Sequence, residues 1–257
     1  MLRGFFRPVR QRRLIPVGPI LALAGLFAVG LGGSLNGSIT PPRTRTAVHV
    51  APLAATRPAV HHPASRIRQP FPGNAGDALQ VVSVTAGALT STTGRLQLWE
   101  RAGLGSSWRP VGKPVPVHLG SAGMSPRPSE AFPATPLGSF TLTHAFGRDP
   151  NPAHRITLAY RQLQPGDGWS TAPGPTYNTL EHYSNEMYAG RDGWMRAAVL
   201  IDYNTAHPVP GAGSGFFVHV GDTAPTDGCV GLPVRAMLGL IGWLRPAAHP
   251  RLVTALA

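Results

Sequence analysis

Acidic residues, lysine and cysteine are all scarce in this chain of 257 residues. A single cysteine, Cys229, excludes an intramolecular disulfide framework, a zinc site built on cysteine and an iron–sulfur cluster. Lysine occurs once, at Lys113, and charged residues make up only 13% of the chain. Residues 1–70 hold ten arginines and no aspartate or glutamate. That asymmetry decides what the net charge of +12 means. Residues 71–257 carry twelve arginines and Lys113 against eleven acids, so the folded part is close to neutral. A nucleic-acid-binding domain carries its basic stripe on the fold rather than on a tail, so no nucleic-acid partner is expected.

The hydrophobic fraction of 42% and the length are enough for a proper core. With 31 glycines and 28 prolines, the composition favours strands, turns and loops over a helix bundle.

Four segments follow from the patterning. Residues 1–13 form a basic segment with five arginines. Residues 14–33 are uncharged and apolar, about 30 Å long if helical, which spans a hydrocarbon core. Positive charge before the run and none immediately after it orients the amino terminus to the cytosol, so the body is expected outside the membrane, in the cell envelope. An uncleaved signal anchor and a long signal peptide both fit. The poor small-residue cleavage sites at Gly30, Gly32 and Ser34 favour the anchor. Residues 34–76 are rich in proline, alanine and arginine, with no hydrophobic period, and read as a linker. Residues 77–257 are the expected folded domain.

Within that domain, residues 79–85, 95–101, 115–119, 139–144, 155–160, 195–203 and 215–220 are short β-rich runs between Gly/Pro turns. Residues 233–244 alone read as a helix, with Pro233 at the start and Pro246 just beyond the end. Residues 251–256 could close with a strand. The expected fold is mainly β, a sandwich or half-open barrel with one late helix. Between the runs, residues 166–188 concentrate Trp169, Tyr177, Tyr183 and Tyr188. Such a loop is either a binding lid or a loop pinned to the core by its rings.

Cys229 follows Gly228, and His219 lies ten residues upstream near the end of GFFVHV. A lone cysteine is either a buried small hydrophobe or a reactive thiol. A strand, a short loop and the cysteine can fold back to bring thiol and imidazole together. The chemistry needs that pairing, because a free thiol of pKa about 8.5 is only roughly 3% thiolate at pH 7. An imidazole takes the thiol proton and returns it to a leaving amine. The amides of Gly228 and Cys229 are candidate oxyanion donors.

The run VPGAGSGFFVHVGDTAPTDGCVGLP (209–233) resembles the L,D-transpeptidase catalytic domain of the YkuD type, a family of bacterial wall enzymes. TPLGSFTLTHAFG (135–147) and the stretches 166–178 and 199–204 are similar to the same family, and the resemblance covers roughly residues 95–257. It implies a mostly-β fold and cofactor-free acyl transfer on peptidoglycan stem peptides, giving 3→3 cross-links. By resemblance Cys229 is the nucleophile, His219 the base, Gly228 the preceding glycine, and Val220 the residue whose carbonyl orients the imidazole. Thr226 matches a Ser/Thr position. Many members have His where Asp227 stands and Arg or Asn where Gly231 stands.

Thr226, Tyr203 and Asn204 are the candidate substrate-binding residues, with core packing the equal alternative for Tyr203. Asp227, if close, opposes thiolate formation. Residues 211–215 imitate a phosphate loop but precede a strand and lack the Lys-Ser/Thr that nucleotide binding needs. The remaining histidines show no recurring ligand spacing, so no metal is expected. A hydrolase with the same site and a non-catalytic wall-binding module are the competing readings.

Overall fold

A computed structural model describes residues 69–153, 155–182, 193–221 and 223–257. The expected basic segment, membrane run and most of the linker lie outside them. No helix among the described residues is long and apolar enough to cross a membrane.

The linker gives way to the domain earlier than residue 77. Phe71 and Ala75 are buried with Ala78, Val81 and Val253. The Phe71 ring sits 5.6 Å from that of Trp99 and 5.2 Å from that of Trp108. A lone aromatic among prolines carries no periodicity, so the sequence pattern could not assign it to a core.

The strands are β1 Gln80–Ala86, β2 Thr93–Glu100, β3 Arg109–His118, β4 Met124–Ser125, β5 Thr135–Pro136, β6 Gly138–Thr141, β7 His144–Gly147, β8 Ala159–Gln162, β9 Gly168–Trp169, β10 Leu180–Glu181, β11 Ala198–Leu200, β12 Phe217–Val220, β13 Val230–Leu232 and β14 Arg251–Leu256. Ten of them form one sheet in the order β6-β14-β1-β2-β3-β13-β12-β11-β7-β8. β6 at one edge and β7 near the other are joined by only two residues, Leu142 and Thr143. That link spans no more than about 11 Å, so the ends of the sheet must approach one another. The sheet is accordingly a curled half-barrel. The turn is held by Asp202, which accepts from the hydroxyls of Thr141 (2.6 Å) and Thr143 (2.9 Å).

β1 is buried almost throughout because both of its faces are covered. Val82, Val84 and Ala86 face the main core, while Val81 faces the Phe71 cluster. The helix Val234–Trp243 closes the main core with Met237, Leu240 and Ile241, the spacing of one helical face. Its terminal carbonyls lack intrahelical partners. Gln80, fully buried on β1, donates to the Trp243 carbonyl and accepts from the Arg245 amide, both at 2.8 Å.

Several strand boundaries differ from the pattern reading. The run 139–144 is two strands at opposite ends of the sheet. Residues 195–203 begin with a 3₁₀ turn at Trp194–Arg196, leaving only Ala198–Leu200 as strand. β3 starts at Arg109 despite Pro110, Pro114 and Pro116. It pairs along its length with β2 but meets β13 only at His118↔Gly231, so the missing proline amides fall on an open side.

Candidate active site

β12 alternates between two environments. Val218 and Val220 enter the main core, whereas Phe217 lies on the opposite face in a second cluster with Cys229, Phe146 and Leu200. His219, two residues on, shares the side of Phe217. β13 runs parallel to β12 with Val218 opposite Val230 and His219 opposite Gly231. Cys229, one residue before β13, therefore falls on the same face as His219. Both line a cleft of about 690 Å³ together with Trp169, Trp194, Phe217 and Asp227.

A Cβ on Gly231 would lie 2.5 Å from the Gly221 carbonyl oxygen, so the main chain just after His219 leaves no room there for a side chain. Gly231→Ala should lower stability by about 1–3 kcal/mol, the usual range for overpacking, as read from chemical denaturation.

His219 Nδ1 lies 2.8 Å from the Val220 carbonyl, the contact that the resemblance implies. A carbonyl only accepts, so Nδ1 carries the proton and Nε2 is left as a base. Burial holds the imidazole pKa below its ordinary 6.5, partly offset by that hydrogen bond. The ring meets Trp194 edge-on at 5.3 Å.

Cys229 is 8% exposed. Burial pushes its pKa up to about 12, the Phe217 amide works against that shift, and the Asp227 charge adds to it. The Phe217 N–H donates to Sγ at 3.4 Å, and the thiol donates to the Gly215 carbonyl at 3.5 Å. Among the described residues the thiol's hydrogen bonds thus go to the Gly-rich loop and β12, and none goes to His219. Thiol and imidazole are therefore both neutral near pH 7.

A titration should show this directly. Thiolate absorbance at 240 nm should be absent below about pH 10, whereas an ordinary thiol ionises near 8.5. The folded pKa is raised, so the stability contributed by the protonated thiol is complete below pH 9. It is lost as pH rises toward 12.

The turn before Cys229 is fixed by two threonines. Thr226 Oγ1 donates to the Cys229 carbonyl at 2.7 Å and accepts from the Gly228 amide at 3.2 Å, while Thr135 Oγ1 donates to the same carbonyl at 3.2 Å. Gly228 has φ +116°, and a Cβ on it would lie 2.6 Å from the Phe216 ring and 3.0 Å from the Ala134 carbonyl oxygen. Only glycine fits. One expectation changes here: the Gly228 amide is already engaged, so of the two candidate donors only the Cys229 amide has no partner among the described residues. Thr226 lines the cleft while its hydroxyl holds the turn that sets Cys229.

Tyr203 and Asn204 do not line the cleft. Tyr203 packs edge-on between Phe140 (5.7 Å) and Phe216 (5.3 Å). Asn204 Nδ2 donates to the Val209 and Gly213 carbonyls, and its Oδ1 accepts from the Val209 amide. It staples the Gly-rich loop.

Two supporting residues escaped the sequence reading. Asn178, buried with φ +59°, accepts from the Trp169 indole and the Gly215 amide, both at 2.9 Å, and donates to the Asn204 carbonyl at 2.7 Å. Glu130 accepts from the Tyr177 hydroxyl and the Gly213 amide. Together they fix the loop whose Gly215 carbonyl meets the thiol. No local pattern announces such residues, because apart from Trp169 the partners named here lie 26 or more residues away. The aromatic stretch is both pinned and site-forming: Trp169 lines the cleft while stacking on Phe146 and meeting Phe217 edge-on. Tyr183 and Tyr188 lie outside the described residues. Comparison with known proteins returns no matching family model, no matching curated protein and no matching solved structure.

Proposed function

We propose that the protein is a cysteine acyltransferase of the L,D-transpeptidase type, acting on peptidoglycan stem peptides outside the cytoplasmic membrane and held there by residues 14–33. The observation that carries the reading is the placement of Cys229 and His219 on one face of a parallel strand pair. The imidazole is anchored through Nδ1, so Nε2 is its basic atom.

In the proposed cycle His219 Nε2 accepts the thiol proton as sulfur attacks the carbonyl carbon of the third stem residue. The Cys229 amide meets the oxyanion, a donor worth about 3 kcal/mol in such sites. The imidazolium then protonates the departing amine of the terminal D-alanine, leaving a thioester. An amine from a second stem attacks the thioester, forms the cross-link and restores the thiol. If water takes the amine's place, the same residues give a carboxypeptidase or endopeptidase.

The test incubates the full chain and its Cys229→Ala variant with purified disaccharide-tetrapeptide and reads products by mass spectrometry. Release of the terminal residue by wild type alone supports the acyl-enzyme route. Dimer identifies a transferase and tripeptide a hydrolase. No release by either protein favours a wall-binding module.

A further inference from the structure

We propose that Asp227 is the specificity-determining residue for the incoming amine, its carboxylate drawing the ammonium form of the acceptor to the rim of the cleft beside the acylated Cys229. The inference rests on the transpeptidase reading and concerns its second half-reaction.

Asp227 is the one acidic side chain among the described residues that line the cleft, and none of them is lysine or arginine. It is exposed, and it makes no hydrogen bond or ion pair with any described residue. Only Gly228, whose φ of +116° turns the chain, separates it from the nucleophile. Its charge is felt at the sulfur, where it opposes thiolate formation. A carboxylate in this position therefore hinders acylation, and its use must lie elsewhere in the cycle. The rings of Trp169, Trp194 and Phe217 form much of the remaining wall. Aromatic faces attract cations, and one negative charge at the mouth of a cleft whose other described lining residues carry none favours cations over anions.

An alkyl amine arrives at neutral pH mainly as its ammonium. His219 Nε2 accepts one ammonium proton, and the freed lone pair attacks the thioester carbonyl. The C–S bond breaks as the C–N bond forms, and the thiolate takes a proton back from the imidazolium. In sum, ammonium and thioester give amide, thiol and one proton released to solvent. Asp227 holds the cation at the point where it loses that proton.

The experiment forms the acyl-enzyme on the full chain with disaccharide-tetrapeptide. It then offers equal methylamine, a cation at pH 7.5, and hydroxylamine, uncharged at that pH. Mass spectrometry gives the ratio of methylamide to hydroxamate product. Asp227→Asn should lower this ratio about fivefold, the upper end for an exposed ion pair. Asp227→Glu should restore most of it. An unchanged or higher ratio in Asp227→Asn overturns the inference and leaves the transpeptidase reading standing. Loss of the acyl-enzyme in Asp227→Asn alone assigns the carboxylate to the first half-reaction and also overturns it. No acyl-enzyme in wild type overturns both.

Discussion

Cys229→Ala is expected to abolish release of the terminal stem residue while leaving the fold intact. No other thiol exists in the chain to take over the attack. The side chain is small and buried, and its two hydrogen bonds, at 3.4 and 3.5 Å, are weak sulfur contacts to main-chain groups. Losing them together with one sulfur atom should cost about 1 kcal/mol, which moves Tm by roughly 2–4 °C in a domain of this size. Thermal unfolding and product analysis on the same preparation separate chemistry from folding. Wild-type turnover by the variant would remove the cysteine mechanism altogether.

His219→Ala is expected to slow acylation by about two to four powers of ten without abolishing it. Removing the imidazole leaves the protonated thiol without a base, and at a pKa near 12 spontaneous thiolate is negligible at neutral pH. Single-turnover acylation followed across pH gives a second readout. Burial lowers the imidazole pKa, so the wild-type rate should hold through pH 6.5 and decline only further into acid. The sign follows from the group's role, since a base works only when unprotonated. In His219→Ala that acid limb should vanish, which a merely structural loss would not produce.

The parts of the molecule legible in the sequence are those whose signal is local. β1, the helix Val234–Trp243 and β14 stand within a residue or two of their expected places, because each has its own apolar pattern and punctuation. The sequence lets a strand, a short loop and the cysteine fold back to bring thiol and imidazole together; the pairing of β12 with β13 sets both on one face, while among the described residues the thiol's hydrogen bonds go to Phe217 and Gly215 rather than to His219. What was not legible depends on distant partners. β13 is three residues long and contains Gly231, which gives periodicity nothing to register. Tyr203 and Asn204 follow a strand close to the site in sequence, yet their side chains turn to Phe140, Phe216 and the Gly-rich loop. Thr226 matched a site position, but its use as a turn staple emerges only from the carbonyl it meets.

The position of β14 in the sheet bears on how the chain comes to be folded. It lies between β6 and β1, pairing Val81 with Arg251 and Thr141 with the same residue. Those contacts bridge some 170 and 110 residues respectively. The β12–β13 ladder, in contrast, joins residues only a dozen positions apart. A growing chain can therefore form the strand pair bearing Cys229 and His219 before β6 and β1 have anything between them. Long-range pairings of this kind make folding slow. Until Leu256 has been made, the sheet contains a gap one strand wide, with unpaired edges on both sides.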